Sequence, residues 1–174
     1  MKKADLALLR FMRTRGHVPA AEKAAQLIAK SGENGYLWFG IGLAGAAFDK
    51  PRRRQWLASA AIGPVAIGLN FGIKLIVKRP RPSLEGLPPL GGAPSSLSFP
   101  SAHATASFAA ATAMSRFAPE LKLALFGAAA TMAVTRPYLG MHYPSDVVAG
   151  AMLGTVLGSV VPLPPSMGLT EGDK

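Results

Sequence analysis

The 174-residue sequence predicts an all-α fold: a polytopic membrane helix bundle of about five transmembrane helices, with an amphipathic helical segment at its N-terminus. Two observations carry that prediction. Hydrophobic residues make up 49% of the chain and charged ones only 16%. Charge is also absent over long windows, 34–48 (15 residues), 55–73 (19), 123–135 (13) and 147–170 (24), while 102–118 holds only His103 and Arg116. Roughly 20 apolar residues cross a bilayer, within a range of about 17–25. Two windows reach that length, and the shorter ones are extended by polar, uncharged residues at their ends. The competing architecture, a soluble helical bundle, carries one apolar stripe per helix instead.

Taken in order, residues 1–30 come first. Leu6, Leu8, Leu9 and Met12 alternate with Lys2, Lys3, Arg10, Arg13 and Arg15, and a second stretch, 20–29, carries Glu22 and Lys23. Neither is apolar enough to span, and the first lacks the hydrophobic centre and cleavage site of a signal peptide. They predict one or two basic amphipathic helices lying on anionic headgroups. His17 is expected to be a surface residue of this segment. Residues 31–161 form the membrane domain, with spans at about 35–48, 56–77, 101–118, 121–135 and 147–161. In the last span Gly150, Gly154 and Gly158 recur every four residues and line one face, which lets another helix approach closely. Packing within the monomer is the expected use of that face, and a dimer seam is the alternative. Residues 162–174 are expected to be a disordered tail.

The charge balance narrows the function. Lys and Arg number 19 against 9 Asp and Glu, a formal net charge of +10. Nucleic-acid binders are basic through an abundance of charge; this chain is basic through a shortage of acids, so no nucleic-acid partner is expected. With no Cys, a disulfide scaffold, a Cys-ligated zinc site and a thiol nucleophile are excluded. Lys50, Arg52, Arg53 and Arg54 mark the first loop as cytoplasmic by the positive-inside rule, which puts seven further cations of residues 1–30 outside. The two indications conflict; the expectation is a multi-pass cell-membrane protein with its site on the extracytoplasmic face.

Alternating helices bring the remaining polar residues together. The end of the second span (Lys74 to Pro82), the start of the third (Pro100 to His103), the end of the fourth (Thr135, Arg136) and the approach to the fifth (His142, Asp146) fall on one membrane face. Lys74, Lys78, Arg79, Arg81 and Arg136 there face only Asp146 and Glu85. A cationic side chain in the bilayer costs about 2.5–3.5 kcal/mol on insertion scales, so such residues are functional candidates. An anion would complete the cluster. The planar fork of Arg suits phosphate, and Ser101 stands at a helix start, where free N–H groups also favour an anion. Lys78 and Arg79 have snorkelling to headgroups as an equal alternative.

The histidines supply chemistry. His142 and Asp146 are four residues apart, about one helical turn. An Asp so placed accepts the Nδ1 proton and leaves Nε2 as a nucleophile. His103, from another helix end, is free to act as general acid. No Asp/Glu cluster suggests a metal site, so neither cofactor nor metal is expected, and positioning and cations would carry the transfer.

The constellation resembles the type 2 phosphatidic acid phosphatase family, membrane lipid-phosphate phosphatases related to vanadium haloperoxidases. The family's first motif is Lys, six residues, Arg-Pro; here it reads Lys74, LIVKRP, Arg81-Pro82 being its end. Its second, Pro-Ser-Gly-His, reads Pro100-Ser101-Ala102-His103, and its third reads Thr135-Arg136, PYLGM, His142, YPS, Asp146. The resemblance implies that Lys74, Arg81, Ser101 and Arg136 bind phosphate, that His142 becomes phosphorylated, that Asp146 orients it, and that His103 protonates the leaving group. Ala102 replaces the family Gly, with less backbone freedom, and Thr135 replaces Ser while keeping a hydroxyl. The family often has six spans, and here the first is replaced by the amphipathic N-terminus. The Pro-Ser-Ala-His form is similar to that of some actinobacterial enzymes acting on decaprenylphosphoryl-phosphoribose phosphate. The Pro- and Gly-rich loop 82–100 is either a lid or a connector.

The expected function is hydrolysis of the terminal phosphate of a lipid phosphate or diphosphate, a polyprenyl-linked one first, through a phosphohistidine. A glycerolipid phosphate substrate and a non-catalytic phospholipid-binding or transport role remain the alternatives. The expected partners are the lipid phosphate and membrane phospholipids, with a dimer possible.

Overall fold

The structure is a computed structural model that describes residues 2–92 and 95–167. Eight α-helices occur among them: α1 (Lys2–Thr14), α2 (Pro19–Ser31), α3 (Tyr36–Phe48), α4 (Arg53–Ala60), α5 (Ile62–Val77), α6 (Ala102–Phe117), α7 (Lys122–Tyr138) and α8 (Pro144–Val160). Among the described residues there is no strand, only an isolated bridge from Pro80 to Leu97. Helices α4 and α5 divide the predicted second span. Pro64 lacks the N–H that would bond the carbonyl of Ala60, and its ring crowds that carbonyl, so the first helix stops there.

The core is α6, which packs most extensively against α8 and also meets α3, α4, α5 and α7. Its buried positions are Ala, Ser, Thr and one Met. Such short side chains let several helices crowd around one axis, which is how membrane helices associate when lipid removes the hydrophobic drive. Many large apolar side chains point the other way: Phe39, Leu43, Val65, Leu69, Leu75, Ile76, Leu123, Val148, Met152 and Val156 are exposed, while Trp38, Trp56, Met114 and Met132 are buried. An outer surface so rich in large apolar groups suits a bundle surrounded by hydrocarbon. Some buried polar groups pair across helices. Trp38 Nε1 donates to Ser107 Oγ at 2.8 Å, and Asn70 Nδ2 donates to Thr105 Oγ1 at 2.9 Å.

The glycine stripe of the last span is used within the monomer. A methyl group on Gly150, Gly154 or Gly158 would collide with the backbone carbonyl oxygens of Ser101, Thr105 and Ala109 respectively. All three carbonyls belong to α6 or its cap, so α8 lies backbone-to-backbone against it.

By length and apolarity one continuous helical stretch, the 28 residues Lys50–Val77, is sufficient to cross a membrane, and α8 is a shorter apolar helix. Helix α3, with 13 residues, is about 20 Å long against a hydrocarbon core of about 30 Å. The predicted windows thus all become helices, several of them shorter than a full span.

The N-terminal segment differs from the expectation in one respect: it is docked on protein. Leu9 of α1 is fully buried, and Ala25 and Ala29 of α2 are buried and pack with Leu139 and Met141. Arg13 is buried and donates to the carbonyls of Pro88 (2.7 Å) and Tyr138 (3.4 Å). His17, expected at the surface, is instead sandwiched. Its ring stacks on Tyr138 with centroids 4.1 Å apart, Nδ1 lies 2.9 Å from Glu22 Oε1, and Nε2 meets the carbonyl of Met12. The reason is tertiary: the turn after α1 folds back over the end of α7. Leu6, Leu8 and Phe11 remain exposed on the outer side of α1. Of the expected tail, 168–174 lie outside the described residues; 162–167 carry no regular structure, and Met167 N bonds the carbonyl of Pro51.

Replacing Gly154 by Ala should therefore lower stability by about 1–3 kcal/mol, the usual range for overpacking. Gly127, whose added methyl meets nothing within 4 Å, should tolerate Ala without loss. Thermal unfolding of the two variants in one detergent makes the comparison, and equal stability would contradict the α6–α8 contact.

Candidate active site

A cavity of about 450 Å³ opens where α5, α6 and α7 end or begin on one face, and its lining includes Lys74, Arg81, His103, Arg136 and His142. Five of the seven residues expected at the site from sequence thus face one space. Ser101 and Asp146 are not among its lining residues; both are fully buried just behind it.

Each side chain is placed by a local feature. Lys74 ends α5 and is 5% exposed; its Nζ donates to the carbonyls of Ser98 (3.1 Å) and Leu97 (3.3 Å), so it holds the base of the 82–100 loop as well as facing the cavity. Arg81 leaves α5 by a short extended run that is bridged to the returning loop by Arg81 N to Ser96 O and Ser98 N to Arg79 O. Its Nε donates to the carbonyl of Ser95 and its guanidinium to that of Met141. Arg136, 6% exposed, has a buried Nε without a hydrogen-bond partner. A guanidinium in that state is available to an anion. Ser101 caps α6 by accepting from Ala104 N, and its own N–H donates to the carbonyl of Asp146 at 3.0 Å. Ala102 follows as the first helical residue, so the position makes no demand for left-handed backbone.

The third motif closes through a tight turn. After α7, Gly140 takes φ +75°, and an added methyl would approach Arg13 Nε to 2.9 Å, so the position favours Gly on both counts. His142 follows, 2% exposed, in the turn before α8. It is not on the same helical turn as Asp146, as the spacing suggested. Pro144 opens α8, and Asp146 at the third position folds its carboxylate back over the helix start. Its Oδ2 accepts from Tyr143 N at 3.0 Å and lies 3.6 Å from His142 Nδ1, which has no hydrogen-bond partner.

His142 Nε2 lies 3.2 Å from an Arg81 nitrogen. Arg has no acceptor atoms, so Nε2 must present its lone pair and Nδ1 carries the proton, facing Asp146. Burial pushes the His142 pKa down to about 4, joined by the charges of Arg81, Arg136 and Lys74 and opposed by Asp146. The imidazole is neutral at pH 7, with the Nε2 lone pair turned to Arg81. His103 Nε2 lies 3.0 Å from the carbonyl of Ala29 and so donates to the last turn of α2. Gly32 makes that approach possible, since a methyl there would meet Met132 and His103.

Several contributors escaped sequence reasoning. Arg79, equally read as a headgroup cation, points inward: it donates to Asp146 Oδ1 (2.7 Å), Ser145 Oγ (2.8 Å) and Asp5 Oδ2 (2.7 Å), over the Tyr143 ring at 4.0 Å. Its place two residues before Arg81 was the available signal. Asn70, four residues before Lys74 on α5, ties Thr105 and the Pro100 carbonyl. Glu33 and Asn34 line the cavity from the N-terminal side. Lys78, by contrast, is exposed, and Thr135 Oγ1 bonds Met132 within its own helix. The 82–100 loop does form a wall, through Gly92 and Ser95.

A sequence model of the PAP2 superfamily matches residues 55–164. The chain belongs to that superfamily. Decaprenylphosphoryl-5-phosphoribose phosphatase of Mycobacterium tuberculosis is 40% identical over 82% of this chain and 80% of its own length. The protein of the same name from Mycolicibacterium smegmatis is 39% identical over 76% and 72%. Among solved structures, LpxE of Aquifex aeolicus superposes with a TM-score of 0.73 at 28% identity, covering 89% of this chain and 92% of that one. A PAP2-type phosphatidylglycerolphosphate phosphatase from Bacillus subtilis gives 0.72 at 25% identity, covering 91% and 82%. With a transmembrane PAP2-type structure as neighbour, the helical bundle is a membrane fold.

If His142 is a nucleophile that must be neutral, activity is lost only as pH falls through its pKa. With that pKa at about 4, kcat/KM should hold nearly level down to about pH 5. An imidazole of ordinary pKa would by then have cut it about 30-fold relative to its plateau. Rates between those limits of pH in detergent micelles test the sign and the position of the acid limb.

Proposed function

We propose that this PAP2-superfamily chain, a membrane phosphatase of lipid phosphates, removes the terminal phosphate of a polyprenyl-linked lipid through a phosphohistidine on His142. The observation that carries the reading is the single cavity lined by Lys74, Arg81, Arg136, His103 and His142. The relatives at 39–40% identity, named for a decaprenyl-linked sugar phosphate, support the choice of lipid.

In this reading the three cations bind the phosphate oxygens, with the start of α6 behind them. His103 takes up a proton as the anionic phosphate binds beside it, because that charge offsets the burial and the cations that otherwise keep it neutral. His142 Nε2 attacks phosphorus as the bond to the lipid-side oxygen breaks, and the imidazolium of His103 gives that oxygen its proton and becomes neutral. Asp146 stabilises the imidazolium-like nitrogen that forms on His142. Water then attacks phosphorus, neutral His103 takes its proton, and the P–N bond breaks to release inorganic phosphate and neutral His142. No cofactor or metal enters the scheme.

The same reading places the protein in the cell membrane with five spanning helices, α3, the α4–α5 stretch, α6, α7 and α8. The cluster 50–54 is tied to the far end of the bundle, where Arg52 pairs with Glu120 and donates to the Phe117 carbonyl. If that end is cytoplasmic, the site is extracytoplasmic. Residues 2–31 lie on the site face as an interfacial segment whose exposed Leu6, Leu8 and Phe11 meet lipid.

Purified protein in detergent with chelator should release phosphate from prenyl phosphates faster than from phosphatidic acid. His142→Ala should lower turnover by at least about 10³-fold, as expected when a covalent nucleophile is removed. His103→Ala should let a phosphorylated His142 accumulate under non-acidic quench. Release that requires added divalent metal, or full turnover by His142→Ala, would overturn the mechanism. A preference for glyceryl over prenyl phosphates would overturn only the lipid class.

A further inference from the structure

We infer that Asp5, in the first turn of the N-terminal helix, is a positioning residue of the active site: it holds and neutralises Arg79 so that Asp146 keeps its charge for His142. The inference rests on the assignment of His142 and Asp146 made above, and it concerns a residue outside the 55–164 stretch that matches the superfamily.

The geometry is a relay of contacts. Asp5 Oδ2 accepts from Arg79 at 2.7 Å, and the other guanidinium nitrogen of Arg79 donates to Asp146 Oδ1 at 2.7 Å. Asp5 is 8% exposed and Asp146 fully buried, while the Arg79 side chain between them keeps 22% exposure, so solvent reaches the network mainly at Arg79. Asp5 is gripped further by Ser145, whose N–H donates to Oδ1 at 3.0 Å and whose hydroxyl donates to Oδ2. Burial works against its ionisation, but the hydrogen bonds from Ser145 and Arg79 outweigh it and hold the carboxyl below its ordinary range. Asp5 is therefore charged at neutral pH.

Charge counting then gives the consequence. Arg79 contributes one positive charge, Asp5 and Asp146 one negative charge each. The group as a whole presents one negative charge, and Asp146 Oδ2 is its atom nearest to His142 Nδ1, at 3.6 Å. Without the Asp5 charge the group becomes neutral. Asp146 would then face a full guanidinium, accept less well from Nδ1, and stabilise less of the positive charge that develops on His142 during attack. Substrate phosphate is bound elsewhere, by Lys74, Arg81 and Arg136, so the effect should fall on the chemical step.

The test uses full-length protein in micelles with farnesyl phosphate and reads kcat, KM and thermal unfolding. Asp5→Asn should lower kcat about tenfold with KM within about twofold, and Asp5→Glu should recover most of the loss. The double variant Asp5→Asn/Arg79→Gln removes both charges and leaves Asp146 with its own, so it should turn over several-fold faster than Asp5→Asn alone. A purely structural role predicts the opposite order, with the double variant the worse of the two. Wild-type kcat in Asp5→Asn, or a double variant no faster than the single one, overturns the inference. If Asp5→Asn proves too unstable to assay, Arg79→Gln takes its place in the comparison, and a double variant slower than Arg79→Gln overturns the inference equally. His142→Ala in the same assay keeps the two readings apart. An inactive His142→Ala beside a fully active Asp5→Asn sinks this inference alone, whereas an active His142→Ala sinks the site assignment beneath it.

Discussion

The contact on which the rest of this structure depends is the near-backbone approach of α6 and α8. Glycine at 150, 154 and 158 leaves no side chain between the two helices, and the carbonyls of Ser101, Thr105 and Ala109 fill the space. Both helices carry residues of the proposed site at their N-terminal ends: Ser101, Ala102 and His103 on one, His142 to Asp146 leading into the other. The first N–H of that junction, on Ser101, bonds the carbonyl of Asp146. Separating the helices by the width of one leucine would carry His103 and His142 apart by several ångströms, on the order of the usual change in interaxial distance. A packing device thus sets the spacing of the two histidines.

The second constraint is electrostatic. Lys74, Arg81 and Arg136 line one cavity, and Glu33 at its rim is the only carboxylate among the lining residues. Such a cluster is unfavourable when empty, because each cation loses hydration and gains like-charged neighbours. Backbone carbonyls offset part of this: those of Ser98, Leu97, Ser95 and Met141 accept from Lys74 or Arg81. Arg136 has no such partner for its buried Nε. The cavity is preorganised for an anion because the protein supplies dipoles and withholds counter-charges. Burial, with these cations adding to it, keeps His142 unprotonated, so the charge that suits a phosphate also suits the proposed role of His142 as a nucleophile.

Much of this was legible in the sequence, for a physical reason. Charge-free windows report helices in lipid, and alternation of spans forces Lys74, Arg81, His103, Arg136 and His142 to one face whatever the loops do. What the sequence left open was set by tertiary contacts with no local signature. His17 looked solitary, yet it stacks on Tyr138 from a point 121 residues away. Arg79 stood evenly between the site cluster and the headgroups because its partners, Asp5 and Asp146, lie 74 and 67 residues distant. The spacing of His142 and Asp146 was read as one helical turn, and the chain instead breaks between them at Pro144, with the carboxylate reaching back as part of the helix start. The residue pair was legible; the conformation that joins it was not.

The N-terminal segment changes how the shortage of acids should be understood. Only 9 acidic residues are present, and three of them, Asp5, Glu22 and Glu33, precede the first apolar window. None of the three is spent on the surface alone. Glu22 fixes His17, which braces Tyr138 at the end of α7. Glu33 stands at the cavity rim, and Asp5 closes on Arg79. Arg13 and Gln26, from the same segment, hold the carbonyls of Pro88 and Leu90 and so fasten the loop that walls the cavity. Helices α1 and α2 therefore cover the site, pin its loop and supply part of its charge balance, while Leu6, Leu8 and Phe11 face outward. The segment thus has its exposed apolar side chains on one side and the base of the site on the other, a division its amphipathic pattern already carried.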